Sequence, residues 1–464
     1  MRGSLALMVP SIAGARMTQN AAFDSVTTDS RSAGAGELFV ALRGENFDGH
    51  DFLEQVAARG VAAVVVEELP PGLKLPAIVV PDTLVALGQI ANFWRAQFDM
   101  PVIGVTGSNG KTTVKEMIAS ILAAAHGEEG RLATRGNLNN EIGVPLTLMR
   151  LTEAHKAAVV ELGMNHPGEI GRLTAIAQPG IGLVNNAQRE HQEFMHTVEA
   201  VAQENGAVIA GLPANGVAVF PADDTYTGLW LSLAQARGQR KIITFGLNNA
   251  ANVSCAHRAS GAGSELDVTV AGTGKEDGTF TVQLSAFGLH NVRNALAAIA
   301  CAVAAGIERD AIVRGIEAFA PVSGRLQRKL AVCGATVIDD TYNANPDSVR
   351  AAIDVLAEAA EPRILVLGDM GEVGTQGREF HEEIAAYAAS RGVKTVLATG
   401  ELARHMAGAG AQHFEQFDEL LAALEHKLGT KSDATVLVKG SRFMKMERVV
   451  QHLLGQHTTG KEAH

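Results

Sequence analysis

Short apolar runs recur along the chain, each closing on polar or glycine-rich positions and followed by a longer stretch with helical spacing. Residues 102–105, 157–161, 181–185, 217–220 and 241–245 read as buried strands, with helices expected from Lys111, near 169–177 and over 198–212. Strand alternating with helix predicts a parallel sheet covered by helices. Between Asn252 and Phe287 the pattern changes to short alternating segments with glycine-bearing turns, which predicts antiparallel strands appended to that sheet. A helix is expected from about Asn291 to Ala305. Upstream, residues 37–42, 62–66 and 77–80 predict a smaller α/β unit ending in a helix over 84–98. Downstream, residues 336–339, 364–367, 395–398 and 435–438, each followed by a helical stretch, predict a third.

At 464 residues the chain is too long for one ordinary core. The pattern divides it into an α/β protein of three domains, expected at 1–98, 99–322 and 323–464, with Asp99-Met100-Pro101 as the first linker. A ligand cleft is expected between α/β units.

Hydrophobic content of 47% with 19% charged residues fits a globular protein, and the net charge of −11 disfavours nucleic acid or acidic membrane as partner. Anionic ligands must therefore be held locally. Cys255, Cys301 and Cys333 are widely spaced and read as small packing residues of a reducing cytoplasm. The apolar stretch after Met1-Arg2-Gly3-Ser4 is too short for a signal peptide, and no run has the length of a membrane span.

The strongest local signal is Thr106-Gly107-Ser108-Asn109-Gly110-Lys111-Thr112-Thr113, directly after an apolar strand. Strand, glycine-bearing turn and a helix opening on Lys-Thr-Thr form a phosphate cradle: backbone N–H groups and the helix N-terminus face an anion, and the lysine neutralises phosphoryl oxygens. Thr112 stands where a Mg2+ ligand belongs. Val105 occupies the position at which the general nucleotide-binding loop has its first glycine, which narrows the comparison.

Other polar segments fall at predicted strand ends. Thr28-Asp29-Ser30-Arg31 and Phe47-Asp48-Gly49-His50-Asp51 lie in the first unit. Gly136-Asn137-Leu138-Asn139-Asn140-Glu141, Glu161-Leu162-Gly163-Met164-Asn165, Asn185-Asn186 with His191, and His290-Asn291-Val292-Arg293-Asn294 lie in the second. Asp339-Asp340-Thr341-Tyr342-Asn343-Ala344-Asn345-Pro346 opens the third. Together with the phosphate turn these motifs resemble the Mur ligase family of ATP-dependent amide ligases over nearly the whole chain. The first-unit motifs and the third-unit Asp-Asp-Thr-Tyr-Asn-Ala-Asn-Pro are similar to the subgroup that joins D-alanyl-D-alanine to UDP-N-acetylmuramoyl-tripeptide. The Asn-Pro-Arg motif of the sister that adds the diamino acid is missing from this sequence.

The resemblance implies a small N-terminal domain for the UDP substrate, a central P-loop ATPase domain and a Rossmann-like C-terminal domain; the three-unit layout predicts that the third domain rotates on nucleotide binding. It implies an acyl phosphate: ATP phosphorylates the tripeptide carboxylate, and the dipeptide amine displaces phosphate. Each step builds negative charge on transferring oxygens, so Lys111, Glu161, His191 and Arg325 are the expected catalytic groups. Residues 107–113 (Gly107, Ser108, Asn109, Gly110, Lys111, Thr112, Thr113) are expected around the phosphates. Mg2+ is expected on Thr112, Glu161 and His191, adenine on Asn294, the γ-phosphate on Arg325 and ribose on Asp340. Tyr342, Asn343 and Asn345 are expected at the dipeptide or nucleotide. Asn137, Asn139 and Asn140 are expected at the sugar and peptide, and Ser30, Arg31, Asp48 and His50 at the UDP end.

Plainer readings stand beside several of these. Asn-Ala-Asn-Pro also suits a turn and helix cap, and Asn294 also suits a cap. Lys439-Gly440-Ser441-Arg442 either meets a substrate carboxylate or is a basic surface loop. Two departures from the family pattern are visible. Its Ala-His-Leu-Glu-Gly is here Glu190-His191-Gln192-Glu193-Phe194. Asn205 stands where many members carry a Lys modified to a carbamate, which leaves Glu204 to supply the charge or a second Mg2+ to be held differently. A cytoplasmic monomer without membrane insertion is expected.

Overall fold

The computed structural model describes residues 1–248, 250–260 and 263–456. Three large sheets follow one another along the chain, as the alternating pattern predicts. The first runs Arg16–Met17, Ala77–Val79, Ala63–Val66, Glu37–Val40, Ser25–Thr27 across its width, parallel except at the Arg16–Met17 edge. The helix Thr83–Arg95 closes this unit, with the Asp82 carboxylate accepting from the Leu84 and Val85 N–H groups at its start. Its apolar side joins the first unit to the second: one buried cluster runs from Leu38 and Val65 through Leu87 and Ile90 to Leu148 and Leu173. Arg95 donates to the carbonyls of Ala177 and Gln178, and Asn92 to those of Ala175 and Ile176, at the C-terminal end of the helix Glu169–Ala177. A cation at that end also meets the negative pole of the helix dipole. The first two units thus share a core.

The central sheet has nine strands. Val102–Thr106 lies between Ile181–Val184 and Ala157–Glu161, all parallel, with Glu161 opposite Val105 and Val184 opposite Thr106. Val217–Pro221 and Lys241–Phe245 continue it in parallel, and Val253–Ser260, Gly263–Val270 and Gly278–Leu284 extend it as the antiparallel block expected from the alternation. One face carries the helices Lys111–His126, Leu289–Ala304 and Arg309–Ala318. The last packs so closely on the first that a Cβ at Gly315 would stand 2.3 Å from the Ile121 Cα.

The third sheet runs Gln327–Leu330, Thr336–Asp340, Thr435–Lys439, Arg363–Gly368, Thr395–Thr399, Gln412–Phe414, parallel except for its first pair. Separate apolar clusters cover its two faces, so this unit has its own core. Periodicity does not announce the edge strands Arg131–Ala133, Gln327–Leu330 and Gln412–Phe414, which are only three or four residues long and partly exposed. It also misses the helix Arg309–Ala318, and it sets the Leu289–Ala304 helix two residues late. No described helix is long and apolar enough to cross a membrane.

Candidate active site

A cavity of about 750 Å³ opens at the carboxyl ends of the central strands, between the second and third units. Neighbouring parallel strands bring the phosphate turn, Glu161 and Asn185 to the same edge, the usual ligand position of an open α/β sheet. The turn is wired by the adjoining strand end. Asn186 Oδ1 accepts from the Asn109 N–H at 2.9 Å, and the Asn109 carbonyl accepts from the side-chain amides of Asn185 and Asn186. Ser108 Oγ accepts from the Gln188 N–H at 2.9 Å. Gly110 has φ 83°, and a Cβ there would stand 2.4 Å from Asn294 Oδ1. The helix Lys111–His126 starts directly behind it with its first N–H groups facing the cavity edge.

Lys111 Nζ curls back over the turn. It donates to the carbonyls of Gly107 (2.6 Å) and Ser108 (3.1 Å) and pairs with Glu190 at 2.8 Å. Beside it, the Thr112 hydroxyl donates to Glu161 Oε1 at 3.1 Å and accepts from Arg325 Nη2 at 2.9 Å. Asn139 donates to the same Glu161 oxygen at 2.8 Å. Glu161 is 2% exposed, and its other oxygen, Oε2, is buried without a partner. Such an oxygen is costly to leave unpaired and suits a hard divalent cation. One carboxylate and one threonine hydroxyl, completed by phosphate oxygens and water, fit Mg2+ as nucleotide enzymes hold it. Among the described residues no group of three His, Cys, Asp or Glu side chains forms a metal cage.

The structure does not bring His191 to that pair. Its Nδ1 lies 2.6 Å from Glu372 of the third unit, out of hydrogen-bond alignment, and its Nε2 lies 3.5 Å from Glu190. Burial opposes the charge, but the two carboxylates outweigh it and push the imidazolium up to about 9. The imidazolium in turn holds the Glu372 carboxyl below its ordinary range. Glu204 is likewise committed elsewhere, accepting from the N–H groups of Gly168 and Ile170 at the start of the helix Glu169–Ala177. Asn205 is fully buried under the turn, its Oδ1 accepting from the Thr106 hydroxyl at 2.7 Å. Neither residue lines the cavity.

From the third unit, Arg325 stacks on the Tyr342 ring with 4.1 Å to the centroid. Asp340 pairs with Lys439 at 2.6 Å and accepts from the Leu326 N–H. Asn345 caps the helix Pro346–Ala357 in a capping box with Ser348, so the cap reading of Asn-Ala-Asn-Pro holds. The same amide also donates to Asn109 Oδ1 at 2.9 Å, tying that helix start to the phosphate turn. Asn343 accepts from its neighbour's N–H, and Lys439 donates to the Asn343 carbonyl. Arg442 is exposed and pairs with Glu447, away from the cavity.

The remaining sequence candidates divide. Thr113, Asn137, Asn139 and Asn140 line the cavity, although the Asn140 side chain already accepts from the Ile142 and Gly143 N–H groups. Asn294 lines it too, its amide accepting from Asn185 and donating to Asn291. Ser30, Arg31, Asp48 and His50 lie on the first unit and do not line the cavity. Arg31 pairs with Asp29. His50 accepts from the Glu67 N–H on Nε2, which makes Nδ1 the donor to Asp48 at 2.6 Å. Glu190, Arg189, Gln188, Asp347 and Glu372 contribute contacts that sequence reading assigned to none of them. Only the Glu190 departure offered a signal.

Three family models match the chain: "Mur ligase family, catalytic domain" over residues 22–95, "Mur ligase middle domain" over 105–302 and "Mur ligase, glutamate ligase domain" over 324–442. The UDP-N-acetylmuramoyl-tripeptide–D-alanyl-D-alanine ligase of Escherichia coli K12 is 39% identical over 93% of each chain. The enzyme of the same name from Haemophilus influenzae is 38% identical over 94% of each. A crystal structure of MurF from Acinetobacter baumannii superposes with TM-score 0.90 at 32% identity, covering 98% of this chain and 99% of that one.

Proposed function

The chain belongs to the Mur ligase family, and we propose that within it this protein joins D-alanyl-D-alanine to UDP-N-acetylmuramoyl-tripeptide with ATP, giving the UDP-MurNAc-pentapeptide precursor of peptidoglycan. The observation that carries the reading is the convergence of Lys111, the Thr112–Glu161 pair and Arg325 on one cavity between two units. A carboxylate oxygen of the tripeptide attacks the γ-phosphorus and ADP leaves. The dipeptide amine then attacks the acyl carbon, phosphate leaves and the amine proton is lost.

Lys111 and Arg325 balance the charge that builds on the transferring oxygens, and the turn's N–H groups hold the phosphates. Thr112 and Glu161 would hold Mg2+, which supplies Lewis-acid neutralisation of the phosphates when bound. Asn139 fixes Glu161 in place for that task. Glu190, whose Oε2 is buried without a partner, gives the site a further carboxylate. Asn137, with its neighbours, faces the sugar and peptide. Tyr342, Asn343 and Asp340 form the wall for the dipeptide and ribose. The UDP end extends out of the cavity to residues 1–98, while 99–322 bind ATP and 323–464 complete the site. Three free cysteines suit a cytoplasmic protein, and we assign it there as a monomer.

The test is phosphate release measured against single and paired substrates. Release requiring both UDP-tripeptide and D-alanyl-D-alanine, with a product heavier by one dipeptide less water, is expected. Turnover of ATP without them, or a free diamino acid as the better acceptor, overturns the reading.

A further inference from the structure

Three consecutive residues of the central unit point three ways. Glu190 reaches back to Lys111, His191 reaches Glu372, and Arg189 reaches the start of the third unit's first long helix. Arg189 makes the densest polar contact between the two units. Its Nη2 stands 2.7 Å from Asp347 Oδ1 and its Nη1 2.7 Å from Glu383 Oε2, while its backbone N–H donates to Asp347 Oδ2 at 2.8 Å. The guanidinium lies over the Phe380 ring, and Arg350 holds Glu383 from the other side at 2.9 Å. Arg189 and Asp347 are more than three-quarters buried, and Glu383 is 34% exposed. Arg189 itself does not line the cavity.

Asp347 follows directly on the Asn345-Pro346 cap whose amide touches the phosphate turn. Gripping Asp347 therefore seats that helix start on both central loops at once. Without the grip, the polar ties left between the third unit and the site are the Arg325–Thr112 bond, the two amide bonds between Asn345 and Asn109, the His191–Glu372 pair and one backbone bond from Glu193 to Glu372, beside the Arg328 guanidinium over Phe287. A guanidinium suits this place because its planar fork meets Asp347 through Nε and Nη2 while Nη1 reaches Glu383, a bidentate geometry that an ammonium does not reproduce. We propose that Arg189 is a positioning residue: its clasp on Asp347 and Glu383 fixes the third unit against the central loops, setting Arg325 over Thr112 and Glu190 against Lys111. The inference rests on the ligase reading for its kinetic readout only.

The test compares Arg189→Ala, Arg189→Lys, Asp347→Asn and the Arg189→Ala/Asp347→Asn double variant in the full chain, by steady-state kinetics and small-angle scattering with a non-hydrolysable ATP analogue. Arg189→Ala is expected to lower kcat about 10- to 100-fold through misplacement alone, with KM for ATP within about threefold. Arg189→Lys should fall between it and the parent. The double variant should be no slower than the worse single one, because both remove the same clasp. The scattering of the analogue complex should show a larger radius of gyration in the Ala variant. Multiplying losses, or kcat within about twofold of the parent at unchanged dimensions, overturns the proposal. If Arg189→Ala does not fold, Asp347→Asn and Arg189→Lys carry the same comparison. A parent without ligation refutes the ligase reading, and the scattering then decides the clasp.

Discussion

Arg325 of the third unit donates from Nη2 to the hydroxyl oxygen of Thr112, the phosphate-turn residue that also bonds Glu161, at 2.9 Å across the cavity. Stacking on Tyr342 at 4.1 Å fixes the plane of its guanidinium. A cation so held can meet γ-phosphoryl oxygens while Thr112 and Glu161 face the cation site. Arg325→Ala is expected to lower kcat about 10²- to 10³-fold, as loss of a preorganised charge at the transferring group does. Arg325→Lys should recover only part of this, since an ammonium neither stacks flat nor forks. Steady-state ADP release measures both, and an Ala variant near the parent rate removes Arg325 from the chemistry.

Lys111 has three donor contacts, to two carbonyls of its own turn and to Glu190. The turn's shape rests on Gly110 and on the Asn185–Asn186 amides instead. Lys111→Ala should therefore leave the thermal unfolding midpoint near the parent's while ligation falls at least about 10³-fold. Product formation at a near-parental rate would falsify the phosphate-site assignment.

A lysine carbamate forms by capture of carbon dioxide and makes activity depend on bicarbonate. Asn205 stands at that position, buried and bonded to Thr106, and Glu204 is committed to a helix start. Ligation should be unchanged when bicarbonate is added or carbon dioxide stripped from the buffer. Asn205→Ala removes the acceptor of a buried hydroxyl and should destabilise the fold by about 1–3 kcal/mol in denaturant unfolding. A bicarbonate-dependent rate would mean that another lysine carries the modification.

The strand–helix alternation and the phosphate turn were legible because both depend on local pattern: apolar runs close on polar strand ends, and parallel neighbours bring those ends together. Thr112 with Glu161 followed from that register. The surroundings of His191, Asn294 and His50 were only half legible, because each pairs with a sequence neighbour and also with a residue from another segment. Glu372 faces His191, Asn185 takes Asn294, and the Glu67 backbone takes His50. Spacing along one segment holds no information about such partners. The Arg189 clasp was invisible for the same reason, with Asp347 and Glu383 more than 150 residues downstream.

His290 lines the cavity at the start of the helix Leu289–Ala304, facing Asp340, Lys439 and Asp354. Burial pushes its imidazole down to about 4, Lys439 working in the same direction and the two aspartates against it. The unfolded chain binds this proton near pH 6.5 and the folded chain resists it, so the stability present above pH 6.5 declines as pH falls from 6.5 to 4. At pH 5 the loss from this one group reaches about 2 kcal/mol. Denaturant unfolding of the parent and His290→Gln at pH 7.5 and pH 5 isolates it: the parent should lose about 2 kcal/mol more than the variant. Imidazole NMR shifts should show His290 neutral down to pH 5. A ring that titrates near 6.5, or equal losses in both proteins, would mean that water reaches His290 freely and that this end of the cavity is open to solvent.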